Sequence, residues 1–157
     1  VDWTEVENKI TSNTKLIIIN SPHNPSGTIL SESDMLQLQD LAEKHNLLVI
    51  SDEVYEHIIF DNQTHYSAAR FPGLASRSFI IASFGKTFHN TGWKMGYCLA
   101  PENLMDEFKK VHQYNVFSVN TPMQKALAEY LQTPSHYLNL PDFYQQKRDV
   151  FLDLIKD

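Results

Sequence analysis

The chain has 157 residues, 42% apolar and 20% charged, a composition that suits one globular unit with a sizeable core. Its net charge of −6 excludes the basic footprint of a nucleic-acid binder, and its single cysteine, Cys98, excludes an internal disulfide framework and fits a reducing compartment. No apolar run approaches the roughly 20 residues of a membrane helix and the first residues are polar rather than signal-like, so the expectation is a cytoplasmic chain with neither nucleic acid nor membrane as partner.

The chain opens on VDWTEVENKI, without a methionine, and shows no strong period until LIIIN, Leu16 to Asn20. That short apolar run is rich in β-branched residues and closes on the turn-rich SPHNPSG, which predicts a strand buried on both faces. SESDMLQLQDLAEKHN follows, with Ser31 and Asp34 placed as an N-cap and its acidic N3 partner, and with Met35, Leu38, Leu41 and Ala42 on one helical face. LLVIS, Leu47 to Ser51, predicts a second strand running into Asp52-Glu53; a loop from Asp61 to Ser78 leads to a third, FIIAS, Phe79 to Ser83, which ends at Phe84-Gly85-Lys86. GYCLA, Gly96 to Ala100, predicts a fourth strand stopped by Pro101. Helical patterns then span Glu102 to Tyr114, Pro122 to Leu131 and Pro141 to Lys156. The second carries Met123, Ala126, Leu127, Tyr130 and Leu131 as one stripe, and the last is still running when the chain stops, which reads as a piece of something longer. The pair Lys109-Lys110 reads as a solvated helix face, and the seven histidines lack metal-ligand spacing, so no metal site is expected.

Buried strands separated by helices predict an α/β fold: a mostly parallel sheet with helices on both faces, in three layers. Ligands of such sheets bind outside the carboxyl ends of the strands, which selects SPHNPSG, SDEVY and SFGK. Taken singly, each has a plain structural reading: a Pro-Gly turn, a helix-capping aspartate and a surface lysine. Jointly they bring an acid, a tyrosine, a lysine, an asparagine amide and a serine hydroxyl to one sheet edge. Such a set suits a charged aromatic cofactor that needs an amine for its aldehyde, an acid for its ring nitrogen and donors for its ring oxygen and phosphate.

These segments resemble the class I and II aminotransferases among the fold type I pyridoxal-phosphate enzymes. Asn24-Pro25-Ser26-Gly27 is similar to the family's N-P-T/S-G turn, Asp52-Glu53-Val54-Tyr55 to its D-E-x-Y strand end, and SFGKTFHNTGWKMGY, Ser83 to Tyr97, to the segment around its Schiff-base lysine. The order matches, as do the separations of 28 residues from Asn24 to Asp52 and 34 from Asp52 to Lys86. The similarity runs from about Leu16 to Tyr130, and GKTFHNTGWKMGYCLAP with KVHQYNVFSVNTPMQ looks closest to the methionine and kynurenine aminotransferase branch.

The resemblance implies pyridoxal 5′-phosphate as cofactor, an amino acid of methionine, aromatic or kynurenine type with a 2-oxo acid as substrates, and a homodimer. It implies that Lys86 holds the cofactor as a Schiff base and moves the proton, that Asp52 sits against the pyridine nitrogen, that Tyr55 and Asn24 hydrogen-bond the ring oxygen, and that Ser83 binds phosphate. Lys94 departs from the family pattern: relatives often have arginine there, whose fork grips phosphate with two bonds, where lysine offers a point charge. Residues 1–140 would belong to the large cofactor domain and residues 141–157 would start the helix toward a small C-terminal domain. The phosphate loop, the ring-stacking aromatic and the substrate-carboxylate arginine lie elsewhere in the family, and Arg70, Arg77 and Arg148 follow no matching motif, so residues 1–157 alone are not expected to turn over. The alternatives are a carbon-sulfur β-lyase of the same fold and a non-catalytic cofactor-binding regulatory domain.

Overall fold

A computed structural model of the chain describes residues 1–156. Its sheet has four strands, β1 (Leu16–Asn20), β2 (Leu48–Asp52), β3 (Ser78–Ser83) and β4 (Gly96–Leu99), hydrogen-bonded in chain order. The first three are mutually parallel, and β4 runs antiparallel against β3. Eight α-helices accompany it among the described residues: α1 (Trp3–Lys9), α2 (Glu32–Lys44), α3 (Pro72–Ala75), α4 (Phe84–Thr87), α5 (Glu102–Asn115), α6 (Thr121–Tyr130), α7 (Ser135–Leu138) and α8 (Leu140–Leu154). None of the described helices is long and apolar enough to cross a membrane.

The α2 helix starts as its sequence dictates. Ser31 Oγ accepts from the Asp34 N–H while Asp34 accepts from the Ser31 N–H, a reciprocal capping box. Its inward face, Met35, Leu38, Leu41 and Ala42, is buried as the 3.6-residue period requires. Met35, Leu38 and Ala42 meet Leu47, Val49 and Ile80 of the sheet side, with Ala68, Phe71 and Leu74 from the connection before β3. That connection is not the open loop its polar sequence suggests. A 3₁₀ turn, Ala68–Arg70, and α3 fold Ala68 and Leu74 completely out of solvent, because Ser67 caps the first element and Pro72 opens the second. The polar start forms α1, which is held by Asp2, accepting from the Glu5 N–H, and by a Trp3 Nε1–H bond to Asp34 of 2.8 Å.

Strand alternation sends Val49, Ser51, Ser78, Ile80 and Ala82 into this core and their neighbours to the other face. There α5 approaches β3 through Phe79 and Phe108, ring centroids 6.1 Å apart, while Leu16, Ile18, Leu48 and Ile81 stay exposed, Ile18 at 65%. Helices therefore lie on both faces, but unequally. On α5, Lys109 and Lys110 face solvent and pair with Asp106 and Glu107. The expected stripe on α6 buries only Leu127 among its helical residues.

Candidate active site

Parallel pairing fixes the site. Asn20 stands opposite Asp52, and Asp52 opposite Ile81, two residues before Ser83, so β1, β2 and β3 end side by side at one edge. By alternation Asn20, Asp52 and Ser83 all project from the face opposite the main core. The edge is tied beyond the strands by a Ser21 N–H to Asp52 O bond of 3.1 Å, an Asn20 Nδ2–H to Asp52 O bond of 3.1 Å and a Glu53 N–H to Ile81 O bond of 2.8 Å.

The segment after β1 folds back over this edge. Ser21–Pro22 and Asn24–Pro25 are cis, Gly27 takes φ +71°, and the Asn24 N–H donates to Asn20 Oδ1 at 2.9 Å. Asn24 Nδ2 is thereby brought to 3.2 Å from the Tyr55 hydroxyl, so residues 31 positions apart meet. The phenol oxygen accepts in this bond, and its own proton has no acceptor among the described residues. Lys86, on α4 directly after β3, places Nζ 5.7 Å from the centroid of the Tyr55 ring, within cation–π range, and has no carboxylate partner among the described residues. Asp52 accepts through Oδ1 from the Val54 N–H at 3.2 Å, leaving its second oxygen unused by described side chains.

Ser83 ends β3 at this edge, opposite Gly96 of β4, and Lys94 lies two residues before Gly96. Ser83 Oγ caps α4, accepting from the Gly85 N–H at 3.1 Å and donating to Met95 O over a long 3.4 Å, a weak bond that a better acceptor could replace. Lys94 ends the 3₁₀ turn Thr91–Trp93 in the left-handed region, φ +57°, just before β4 returns along β3, and its side chain is exposed. An acid with a free acceptor, an amine without a counter-ion, a phenol with a free proton and an amide thus share one edge, with a serine hydroxyl at the end of β3. That donor set fits pyridoxal 5′-phosphate, whose ring nitrogen, ring oxygen, aldehyde and phosphate each require one of these groups.

The family model for class I and II aminotransferases matches residues 1–157. The chain belongs to that family. It is similar to a methionine aminotransferase of Escherichia coli strain K12, 50% identical over 100% of this chain and 41% of that protein. It is also similar to a kynurenine–oxoglutarate transaminase of Dictyostelium discoideum, 44% identical over 98% of this chain and 36% of that protein. In structure it superposes on an Escherichia coli protein with methionine aminotransferase function at TM-score 0.96 and 50% identity, covering 99% of this chain and 42% of the other. The Mycobacterium tuberculosis N-succinyldiaminopimelate aminotransferase gives TM-score 0.91 at 37% identity, covering 95% and 39%. The α/β fold is that of fold type I aminotransferases, and the chain spans about two fifths of the length of these relatives.

Sequence reasoning did not foresee the residues that brace this edge. Asn20 is the hub between the Asn24 turn and Asp52. Glu53, 2% exposed, accepts from Ser51 Oγ, the Ala68 N–H and His65 Nε2 at 2.8, 2.9 and 3.0 Å. Tyr97 donates to Glu56 at 2.6 Å, and burial together with that carboxylate pushes its phenol well above the usual tyrosine range. One signal was available: Glu53 has the parity of Val49 and Ser51, and an acid on a core face must find donors. All three arginines have local partners: Arg77 donates to the Gly73 and Ala42 carbonyls, Arg70 lies over Tyr66, and Arg148 grips Asp61 through both terminal nitrogens. The Asp61 carboxyl is accordingly held down at about 2 by its bonds to Arg148 and Gln145.

Proposed function

We propose that this chain is the central part of a pyridoxal-phosphate-dependent aminotransferase that moves an amino group from an amino acid of methionine, aromatic or kynurenine type to a 2-oxo acid. The observation that carries this reading is the meeting of Asn24, Asp52, Tyr55 and Lys86 at the carboxyl edge of three parallel strands, with Asn24 Nδ2 3.2 Å from the Tyr55 hydroxyl. The names of the methionine and kynurenine transaminase relatives support the substrate class. Residues 1–140 are assigned to the cofactor-binding large domain. Residues 141–157 begin the helix toward a small domain; α8 starts at Leu140, and Asp157 lies outside the described residues. A cytoplasmic homodimer is the proposed setting.

When bound, the cofactor supplies an aldehyde that exchanges amines and a ring that delocalises the negative charge left on the amino acid α-carbon. Lys86 would be the residue that holds the aldehyde carbon through Nζ and, when freed, the amine that would carry a proton to and from the substrate α-carbon. Asp52 would keep a proton on the ring nitrogen through the oxygen that the Val54 N–H leaves free. Tyr55 and Asn24 donate to the ring oxygen, and Ser83 and Lys94 hold the phosphate, Lys94 as a point charge.

An absorption spectrum of the protein at the length of its relatives tests the reading. Methionine, phenylalanine or kynurenine added alone shifts the cofactor band toward the aminated form, and a 2-oxo acid restores it. A band that no donor moves, or ammonia release in place of amino transfer, overturns it. Lys94→Ala is expected to raise the cofactor dissociation constant by about tenfold, in line with the loss of one charge-assisted phosphate bond, whereas Lys94→Arg holds it near wild type. Alanine is the cleaner probe than glycine, because glycine would also relax the left-handed backbone at this position. Equilibrium dialysis that finds unchanged affinity in Lys94→Ala makes Lys94 a solvated surface residue.

A further inference from the structure

We propose that the buried Glu53–His65 pair is a positioning device: it closes the loop that carries Tyr55, sets the Tyr55 hydroxyl against the ring oxygen of the cofactor, and through it tunes the protonation of the Lys86 linkage. This rests on the aminotransferase reading above.

The argument starts from strand parity. β2 sends Asp52 to the site face, and the next residue, Glu53, to the core face, where its side chain is 3% exposed and His65's is 12%. A carboxylate so placed must be fully hydrogen-bonded or it destabilises the fold. It is: Oε1 accepts from Ser51 Oγ at 2.8 Å and from the Ala68 N–H at 2.9 Å, and Oε2 accepts from His65 Nε2 at 3.0 Å. Two of these three donors come from the far end of the segment that leaves β2 at Asp52. One side chain thereby closes a 15-residue excursion onto the strand it departs from.

Tyr55 lies two residues into that excursion, where it is pinned in a turn by a Glu56 N–H to Glu53 O bond of 2.9 Å and an Ile58 N–H to Tyr55 O bond of 2.8 Å. The same residue thus holds the start of the loop through its carbonyl and the end through its carboxylate. The phenol at the tip of Tyr55 is only half-buried, and its one side-chain hydrogen bond is the 3.2 Å contact with the exposed Asn24. So weak a local restraint leaves the hydroxyl's position to the backbone, and the backbone's position to Glu53.

The electrostatics agree with this geometry. Burial pushes the Glu53 carboxyl up, but the bonds from His65, Ala68 and Ser51 outweigh it and hold the group below the usual carboxylate range, so it is charged when the site works. His65 Nδ1 is buried with no partner among the described residues, which assigns the Nε2–H tautomer: an unmet acceptor is tolerated better than an unmet donor beside it. Glu56, His57 and Tyr97 are titratable groups facing the pair: His57 is held down by burial, with Glu56 pulling it up and His65 pushing it further down, and the Tyr97 phenol is pushed up by burial, by its bond to Glu56 and by the charge of Glu53.

The experiment reads the pH midpoint of the cofactor's visible band in the loaded protein at the length of its relatives. A donor on the ring oxygen withdraws charge and weakens its hold on the neighbouring imine proton, so Tyr55→Phe raises the midpoint, by about one unit or more for a bond to a charged group. His65→Ala is expected to raise it in the same direction. His65→Gln, which retains an N–H toward Glu53, is expected to leave the midpoint near wild type. The double variant His65→Ala/Tyr55→Phe should go no further than Tyr55→Phe alone, because the two act in series. A midpoint unchanged in His65→Ala while the melting temperature falls, or two shifts that add in full, overturns the proposal. Should His65→Ala fail to fold, Ser51→Ala removes one donor of the three and must give a smaller rise; no rise is a negative result for the device. A wild-type protein with no cofactor band at all counts instead against the aminotransferase reading itself.

Discussion

Lys86→Ala abolishes amino transfer, and this is the largest effect expected from any single substitution in the chain. Two roles fall on one amine. In the proposed function it holds the cofactor covalently and carries the proton, and it is the only lysine that follows β3 directly, on α4, with Nζ 5.7 Å from the Tyr55 ring. Loss of the proton carrier alone lowers turnover by roughly 10²- to 10⁴-fold, and loss of the covalent hold adds to it. Lys86→Arg does not rescue: a guanidinium keeps the charge but neither forms the linkage nor releases a proton near neutral pH. The fold survives both changes, because Lys86 is exposed and bears no structural hydrogen bond or ion pair among the described residues. Steady-state turnover and borohydride labelling with peptide mapping check this together. Label found on Lys94 with Lys86 unmodified, or Lys86→Ala turnover within about tenfold of wild type, removes Lys86 from its role.

The second large effect is on Asp52. Asp52→Asn is nearly isosteric, and its amide oxygen can still accept the Val54 N–H that Oδ1 takes at 3.2 Å, so β2 and its register with Asn20 and Ile81 persist. What changes is the other terminal atom. The acceptor oxygen that the proposed function sets against the ring nitrogen becomes an N–H₂ donor, which could not hold a proton on that nitrogen. On the proposed role, the charge that Asp52 would stabilise grows as the α-carbon proton leaves, so the loss is expected to fall on rate more than on binding. A fall on the order of 100-fold or more in the single-turnover half-reaction is expected, with cofactor affinity changed far less. Rates within about threefold of wild type in a rapid-mixing experiment contradict the assignment to the ring nitrogen.

Both predictions depend on residues that the sequence made visible, for a shared reason. Asp52 and Lys86 each follow an apolar β-branched run, and in a parallel sheet the end of such a run is where a ligand can reach. The Asn24 turn was legible through its Pro, which fixes φ, and its Gly, which permits the positive φ, on either side of Ser26. That Asn24 would lie within hydrogen-bonding reach of Tyr55 was not, because a separation of 31 residues has no local signature. The same holds for Glu53 and His65, whose pairing across 12 residues depends on where a loop returns.

By itself the sequence determined what short-range physics controls. The 3.6-residue period and the Ser31–Asp34 box marked α2 and its buried face, and the runs at Leu16–Asn20 and Phe79–Ser83 marked their strands to within a residue. The second strand was placed one residue early, at Leu47 rather than Leu48, without changing which side chains face the core, since alternation carries through a shifted boundary. Only the tertiary structure decided that β4 runs antiparallel, that α1 forms, and that the Asp61 to Ser78 connection folds into the core. A seven-residue helix is marginal in isolation and is held here by contacts such as the bond from Trp3 to Asp34, 31 residues away. Ala68, Phe71 and Leu74 recur every third residue over a run too short and too broken by Pro72 and Gly73 to mark an element, and they are buried with the α2 face and Ile80 of β3 in one core. Strand direction and loop burial are settled by pairing across the chain, and pairing depends on the whole fold rather than on any window of residues.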